Sequence, residues 1–329
     1  MAIKKGLIPQ LAEVGKIKIG EKGEIRKSKS GKDYQLPTRL DYFKITTTER
    51  DKKTGNYFED TEIMKKLGGK PKEVRIRLPF DTVDKNFFTQ YMCYVGNRKV
   101  CSGDGETATR KGVLTKSGDK IKQSGEDITE LKCDPDTCPA FKSGACKVSG
   151  ILSAFLTDAP DIGGVHKFRT HGWNSTSTIL GALEYFSKNT GGILQGLPLK
   201  LVLLKKSTEK HGTINYATVV IDGQEIKGLR KLALEEKRDR ELMHVDILQI
   251  EQQAEQSGFF KDTDNEKDIQ EEFYPEELEM KIVSEPEKIE KGTSPETLKQ
   301  ELKQANLKKV TPDKPVKVIG KPATDLELF

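Results

Sequence analysis

Four cysteines, Cys101, Cys133, Cys138 and Cys146, fall in a stretch that has few residues able to build a core. Residues 101–150 are dominated by Gly, Ser, Asp and Lys, so apolar burial alone cannot organise them. Four thiolates around one tetrahedral ion would supply that organisation, because the binding energy of a structural zinc ion is folding energy. Between Cys133 and Cys138 stand Asp134, Pro135, Asp136 and Thr137, residue types suited to a tight turn. A glycine-containing loop then leads to Cys146, and Cys101 arrives from across the preceding segment. The spacing is looser than that of paired Cys-x-x-Cys motifs. Three cysteines with a histidine, His166 or His171, are an alternative set. Cysteines buried as small apolar residues are another. Cys93 sits among Tyr91, Met92, Tyr94 and Val95 and reads as a packed thiol outside the ligand set. Five cysteines do not pair off as a disulfide scaffold would, and in a reducing compartment clustered cysteines read as metal ligands. A closed four-thiolate site has no open position for substrate, so it predicts stability rather than hydrolysis.

The 329 residues are 34% hydrophobic and 33% charged, polar enough that part of the chain is expected to stay outside any core. The charge is unevenly spread. Residues 257–329 hold 12 lysines and 17 acidic residues, a net −5, which leaves +10 on residues 1–256. A basic body with an acidic tail suits work near nucleic acid, or near a partner that sits on it. Lysine-rich surfaces also serve solubility alone. No apolar run approaches the ~20 residues that span a bilayer, and the first residues lack the apolar stretch of a signal peptide. The expected location is the cytoplasm, with no membrane association.

The pattern along the chain predicts an α+β protein with a β-rich core. Residues 16–25, around Gly-Glu-Lys-Gly-Glu, read as a hairpin. Residues 40–47 are rich in aromatic and β-branched types and read as a strand. Val74, Ile76 and Leu78 alternate as in a half-buried strand ended by Pro79. Residues 84–95 fit a strand or a short helix. Two strands are expected over 151–170 and a strand pair at 198–206 and 213–222. Between them lies a helix capped by Asn174 or Ser175, with Ile179, Leu180, Leu183 and Phe186 on one face and Gly191-Gly192 at its end. The domain reading is a zinc-containing core over 1–228 with its cysteine module at 101–150, a long amphipathic helix at 229–256, and a disordered acidic tail at 257–329.

Motifs of catalysis are missing. The sequence has no Gly-x4-Gly-Lys-Ser/Thr, no Gly-x-Ser-x-Gly and no His-Glu-x-x-His. Gly103-Asp104-Gly105-Glu106 lacks the third glycine of a dinucleotide loop, and its glycines read as turn residues beside Cys101. The expectation is a binding protein, not an enzyme.

Several stretches together resemble the phage recombination directionality factor-like family, whose members partner large serine integrases. They are Gly15-Lys16-Ile17, Leu40-Asp41-Tyr42-Phe43, residues 101–112, residues 133–156 and residues 164–183. The resemblance covers roughly residues 1–225, and its most specific part is the cysteine block. It implies a protein that does no chemistry on DNA and has little sequence-specific DNA binding of its own. Such a factor binds the DNA-bound integrase, typically near its coiled-coil region. It turns integration, attP × attB, into excision, attL × attR. The partner surface is assigned to Trp173 and to Leu242, Val245 and Leu248 of the 229–256 helix, with structural zinc as the cofactor. The chain ends Asp325-Leu326-Glu327-Leu328-Phe329, which is similar to the short peptide by which bacterial proteins bind the replication sliding clamp. Leu326, Leu328 and Phe329 would fill its pocket. This ending supports a second reading: a phage replication accessory that binds single-stranded DNA, its aromatic and basic residues stacking bases, and is tethered to the clamp.

Overall fold

The structure is a computed structural model that describes residues 11–27, 33–95, 98–117, 120–159, 164–208 and 212–256. The chain forms two units, Met1–Ile282 and Val283–Phe329, and every described residue lies in the first. The reading of a disordered tail over 257–329 and the 325–329 motif lie outside the described residues.

Twelve strands build one sheet among the described residues. In chain order they are β1 (Glu13–Lys27), β2 (Asp33–Arg50), β3 (Tyr57–Glu59), β4 (Glu73–Arg77), β5 (Phe87–Val95) and β6 (Arg98–Gly103). They continue with β7 (Thr107–Ser117), β8 (Lys120–Lys132), β9 (Cys146–Leu156), β10 (Val165–Thr170), β11 (Leu199–Thr208) and β12 (Gly212–Ile221). The helices are α1 (Thr61–Lys66), α2 (Val83–Asn86), α3 (Pro139–Lys142), α4 (Trp173–Asn189), α5 (Ile226–Met243) and α6 (Ile247–Gln256). The main path runs β3-β2-β1-β10-β9-β5-β6-β7-β8. Only β1 and β10 pair in parallel along it. Strand β9 is the trunk. Its first seven residues pair with β5, and its end pairs with β4, which leads on to β11 and β12.

Two-residue alternation explains the strands. In β4, Val74 and Ile76 are buried while Glu73, Arg75 and Arg77 are exposed. In β1 and β2, Ile17, Phe43 and Ile45 turn into the core. In the same core Phe43 meets Phe168 edge to face at 6.2 Å. Helix α4 lays Ile179, Leu183 and Phe186 on this face, as its spacing predicts, and Leu229 and Ala233 of α5 join them. The α+β, β-rich reading therefore stands.

Three expectations are corrected. The 16–25 segment is no hairpin: β1 runs through it, and two register shifts against β2 absorb its glycines. Helix α4 starts at Trp173 with Gly172 as its cap, because Ser175 is used elsewhere, its Oγ accepting from the Ala217 amide at 3.0 Å. The 229–256 helix is two helices, broken at His244, whose φ of 55° is left-handed.

Candidate metal centre and partner surface

Strand register brings the cysteines together. Cys93 on β5 lies directly opposite Cys101 on β6 and directly opposite Cys146 on β9. The other two come from the turn between β8 and α3. Asp134 builds that turn: its Oδ1 accepts from the Asp136 amide at 3.0 Å and its Oδ2 from the Thr137 hydroxyl at 2.9 Å. Its carbonyl accepts from the Cys138 amide at 2.8 Å. A matching turn at Asp104, which accepts from the amides of Glu106 and Thr107, sets Gly103 against Cys133. A Cβ at Gly103 would stand 2.8 Å from the Cys133 sulfur and 2.6 Å from the Thr107 carbonyl oxygen. Gly103→Ala is therefore expected to lower stability by about 1–3 kcal/mol, the usual result of overpacking, as read by urea unfolding.

The thiols act on one another. Burial, then Cys133, then Cys138 push the Cys101 thiol up, while Arg110, opposite it on β7, pulls the other way. Burial and then Cys93, Cys138, Cys101 and Cys133 push the Cys146 thiol far above its ordinary range. Such a cluster resists ionisation until a cation enters, and a divalent ion that prefers thiolate reverses the balance. The donor chemistry thus fits zinc. Among the described residues no group of three or more His, Cys, Asp or Glu side chains is arranged to hold a metal ion. Sequence reasoning set Cys93 apart, whereas the fold puts it in the middle of the row.

Of the two histidine alternatives, His166 lies apart from the cysteines, opposite Gly15 on β1 and Ala154 on β9. His166 is buried beside Gly15, in the core, and burial pushes its pKa down while Asp60 and Glu13 pull it up. His171 Nδ1 lies 2.8 Å from the Val148 carbonyl oxygen. Trp173 is 56% exposed, yet its ring packs on Phe141 of α3 at 6.5 Å, and Phe141 meets Tyr91 edge to face at 5.4 Å. The aromatic trio ties the start of α4 to the cysteine turn.

At the far end, α5 and α6 present Leu242 (78% exposed), Met243 (66%) and Leu248 (64%), with Val245 beside them. A buried polar clasp holds this apolar ridge. Arg240 donates to both oxygens of Asp81 and to Gln195 Oε1. The Asp81 carboxylate also accepts from the amides of Leu194 and Gln195 at 2.9 and 2.8 Å. Glu251 of α6, 1% exposed, accepts from the amides of Asp81 and Thr82 and from the Thr82 hydroxyl, with Lys85 at 3.5 Å. Among the described residues no helix is long and apolar enough to cross a membrane.

With this geometry in place, comparison with known proteins identifies a class. A family model described as recombination directionality factor-like (Gp3-like) matches residues 14–224. The match spans well over half of the 329 residues, and the chain belongs to this family. Membership supports a phage role in recombination. No curated protein and no solved structure matches the chain. The matched stretch holds all five cysteines and Trp173 but ends before α5, so the apolar ridge lies beyond it.

Proposed function

We propose that this protein is a recombination directionality factor that binds a phage serine integrase and switches it from attP × attB integration to attL × attR excision. The observation that carries the reading is the family match over residues 14–224. The factor needs no chemistry of its own, since the integrase supplies the catalytic serine. It has only to bind one arrangement of DNA-bound integrase subunits more tightly than another. About 1.4 kcal/mol of difference shifts that balance tenfold. A basic body favours docking on an integrase–DNA complex without reading bases.

The partner contact is assigned to the α5–α6 ridge. Several large apolar side chains held outward together by a buried clasp suit a helical partner such as a coiled coil. The cysteine cluster takes zinc as a structural staple, which holds the β8–α3 turn against β5, β6 and β9. The direct test is recombination in vitro with the serine integrase encoded nearest this gene. Adding the protein is expected to drive attL × attR and to inhibit attP × attB. If a folded, zinc-loaded protein changes neither reaction, the reading fails. Replacing Leu242 and Leu248 together by serine is expected to weaken integrase binding at least about tenfold, the effect of losing central apolar anchors, with the melting temperature unchanged.

A further inference from the structure

We propose that Cys93 is a fifth ligand-competent thiol of the cluster, which takes the place of Cys101 or Cys146 on a zinc ion held with Cys133 and Cys138. The proposal rests on the zinc reading above and changes its ligand set.

The argument starts from register. Residues directly opposite each other across an antiparallel pair project to the same face. Cys93 is opposite Cys101 on one side and Cys146 on the other, so three thiols stand in one row with Cys93 at the centre. Neighbouring strands lie about 4.8 Å apart. Cys101 and Cys146 are two spacings apart, or about 10 Å between Cα atoms in a flat sheet. Zinc–sulfur bonds of about 2.3 Å in a tetrahedron put the sulfurs only about 3.8 Å from one another. Cys93 meets that requirement with either neighbour across a single strand spacing. A quartet that contains both outer cysteines has to reach over it.

Packing agrees with register. Cys93 is fully buried against Val100 and Ala140, in the small cluster that also gathers Cys101, Cys138 and Cys146.

The experiment measures zinc per chain, and the visible spectrum of the cobalt(II)-substituted protein, whose bands report how many thiolates surround the metal. The full chain is compared with Cys101→Ser, Cys146→Ser, Cys93→Ala, and Cys93→Ala combined with each serine variant. Cys101→Ser and Cys146→Ser are each expected to keep a full complement of metal and a four-thiolate spectrum. Adding Cys93→Ala to either is expected to give a three-thiolate spectrum and loss of most of the zinc. Cys93→Ala alone replaces one small buried group by another. It is expected to lower zinc affinity in chelator competition, a readout that survives if a double variant fails to fold. The proposal is overturned if Cys101→Ser or Cys146→Ser alone shows three thiolates, or if Cys93→Ala leaves affinity unchanged. If the unaltered chain takes up neither zinc nor cobalt, the zinc reading itself has failed. A loaded chain indifferent to Cys93 defeats only this inference.

Discussion

Arg240→Ala is expected to lower the free energy of unfolding by about 3–5 kcal/mol, the range found when one partner of a buried ion pair is removed. Arg240 and Asp81 are 9% and 8% exposed, so the variant leaves a buried carboxylate facing a void. Its amide partners at Leu194 and Gln195 remain, but the counter-charge does not. The effect should reach further than stability. Helix α5 has Leu229 and Ala233 in the core, whereas among the described side chains of α6 the buried one is Glu251. Without Arg240, the end of α5 loses its hold on the segment to which Glu251 is bonded. Urea unfolding gives the stability change, and amide hydrogen exchange over residues 240–256 should rise well before the core opens. Arg240→Lys should fall between the two, since an ammonium keeps the charge but not the fork that grips both Asp81 oxygens and Gln195. A loss under about 1 kcal/mol for Arg240→Ala, typical of a solvated pair, would show that the clasp is not buried in solution.

The break at His244 has a local signal as well as a tertiary cause. Asp246 followed by Gln249 is a helix-start pattern, and the Asp246 Oδ1 accepts from the Gln249 amide at 2.9 Å, but it stands inside a run that otherwise reads as helix from Leu229 to Gln256. In one straight helix, Arg240 and Glu251 would be eleven rises of 1.5 Å apart, or about 16 Å. Both side chains nevertheless reach the adjacent residues Asp81 and Thr82. The chain has to fold back, and it does so through a left-handed residue whose following amide, that of Val245, bonds to the Arg240 carbonyl. The tertiary bonds and the Asp246 cap act in the same direction.

Elsewhere, legibility followed the same division. The strand at Val74, Ile76 and Leu78 and the apolar face of α4 depend on local period and were readable. The 16–25 segment was misread because Gly-Glu-Lys-Gly-Glu carries turn chemistry, while a long partner strand, β2, lets its glycines be taken up as register shifts. The four spaced cysteines were visible as a group. That Cys93 joins them depends on which residues of β5, β6 and β9 face one another, and register is a property of paired strands that one strand's sequence does not display. Leu242 and Leu248 are exposed, but the carboxylates and the guanidinium that hold them there, of Asp81, Glu251 and Arg240, are far apart in the chain and are joined only by the fold.

Acid should undo a second polar centre, and with a definite sign. Glu13 accepts from Lys16 at 2.6 Å and from both terminal nitrogens of Arg169 at 3.3 and 3.2 Å, with Lys167 at 3.4 Å. Burial alone would raise its pKa, but Arg169 and then Lys16 overrule burial and hold it down, from the ordinary 4.5 to about 2. A carboxylate depressed in the folded state binds its proton more readily once the chain unfolds. Its stabilisation is therefore complete above pH about 4.5 and is lost as pH falls toward 2, in all about 3 kcal/mol. His166, pushed down by burial, loses stability in a different window, beginning as pH drops below its ordinary 6.5. Glu13→Gln removes the first titration and, because Glu13 is one of the charges that pull the His166 pKa up, shifts the second downward as well. At pH 7 the variant is expected to be less stable by about 3 kcal/mol, since three cations lose a carboxylate that they share. Between pH 4.5 and pH 2.5 the urea midpoints of the two chains should converge as Glu13 takes up its proton. A stability gap that stays constant from pH 7 to pH 2.5 would mean that Glu13 acts through packing and not through its charge.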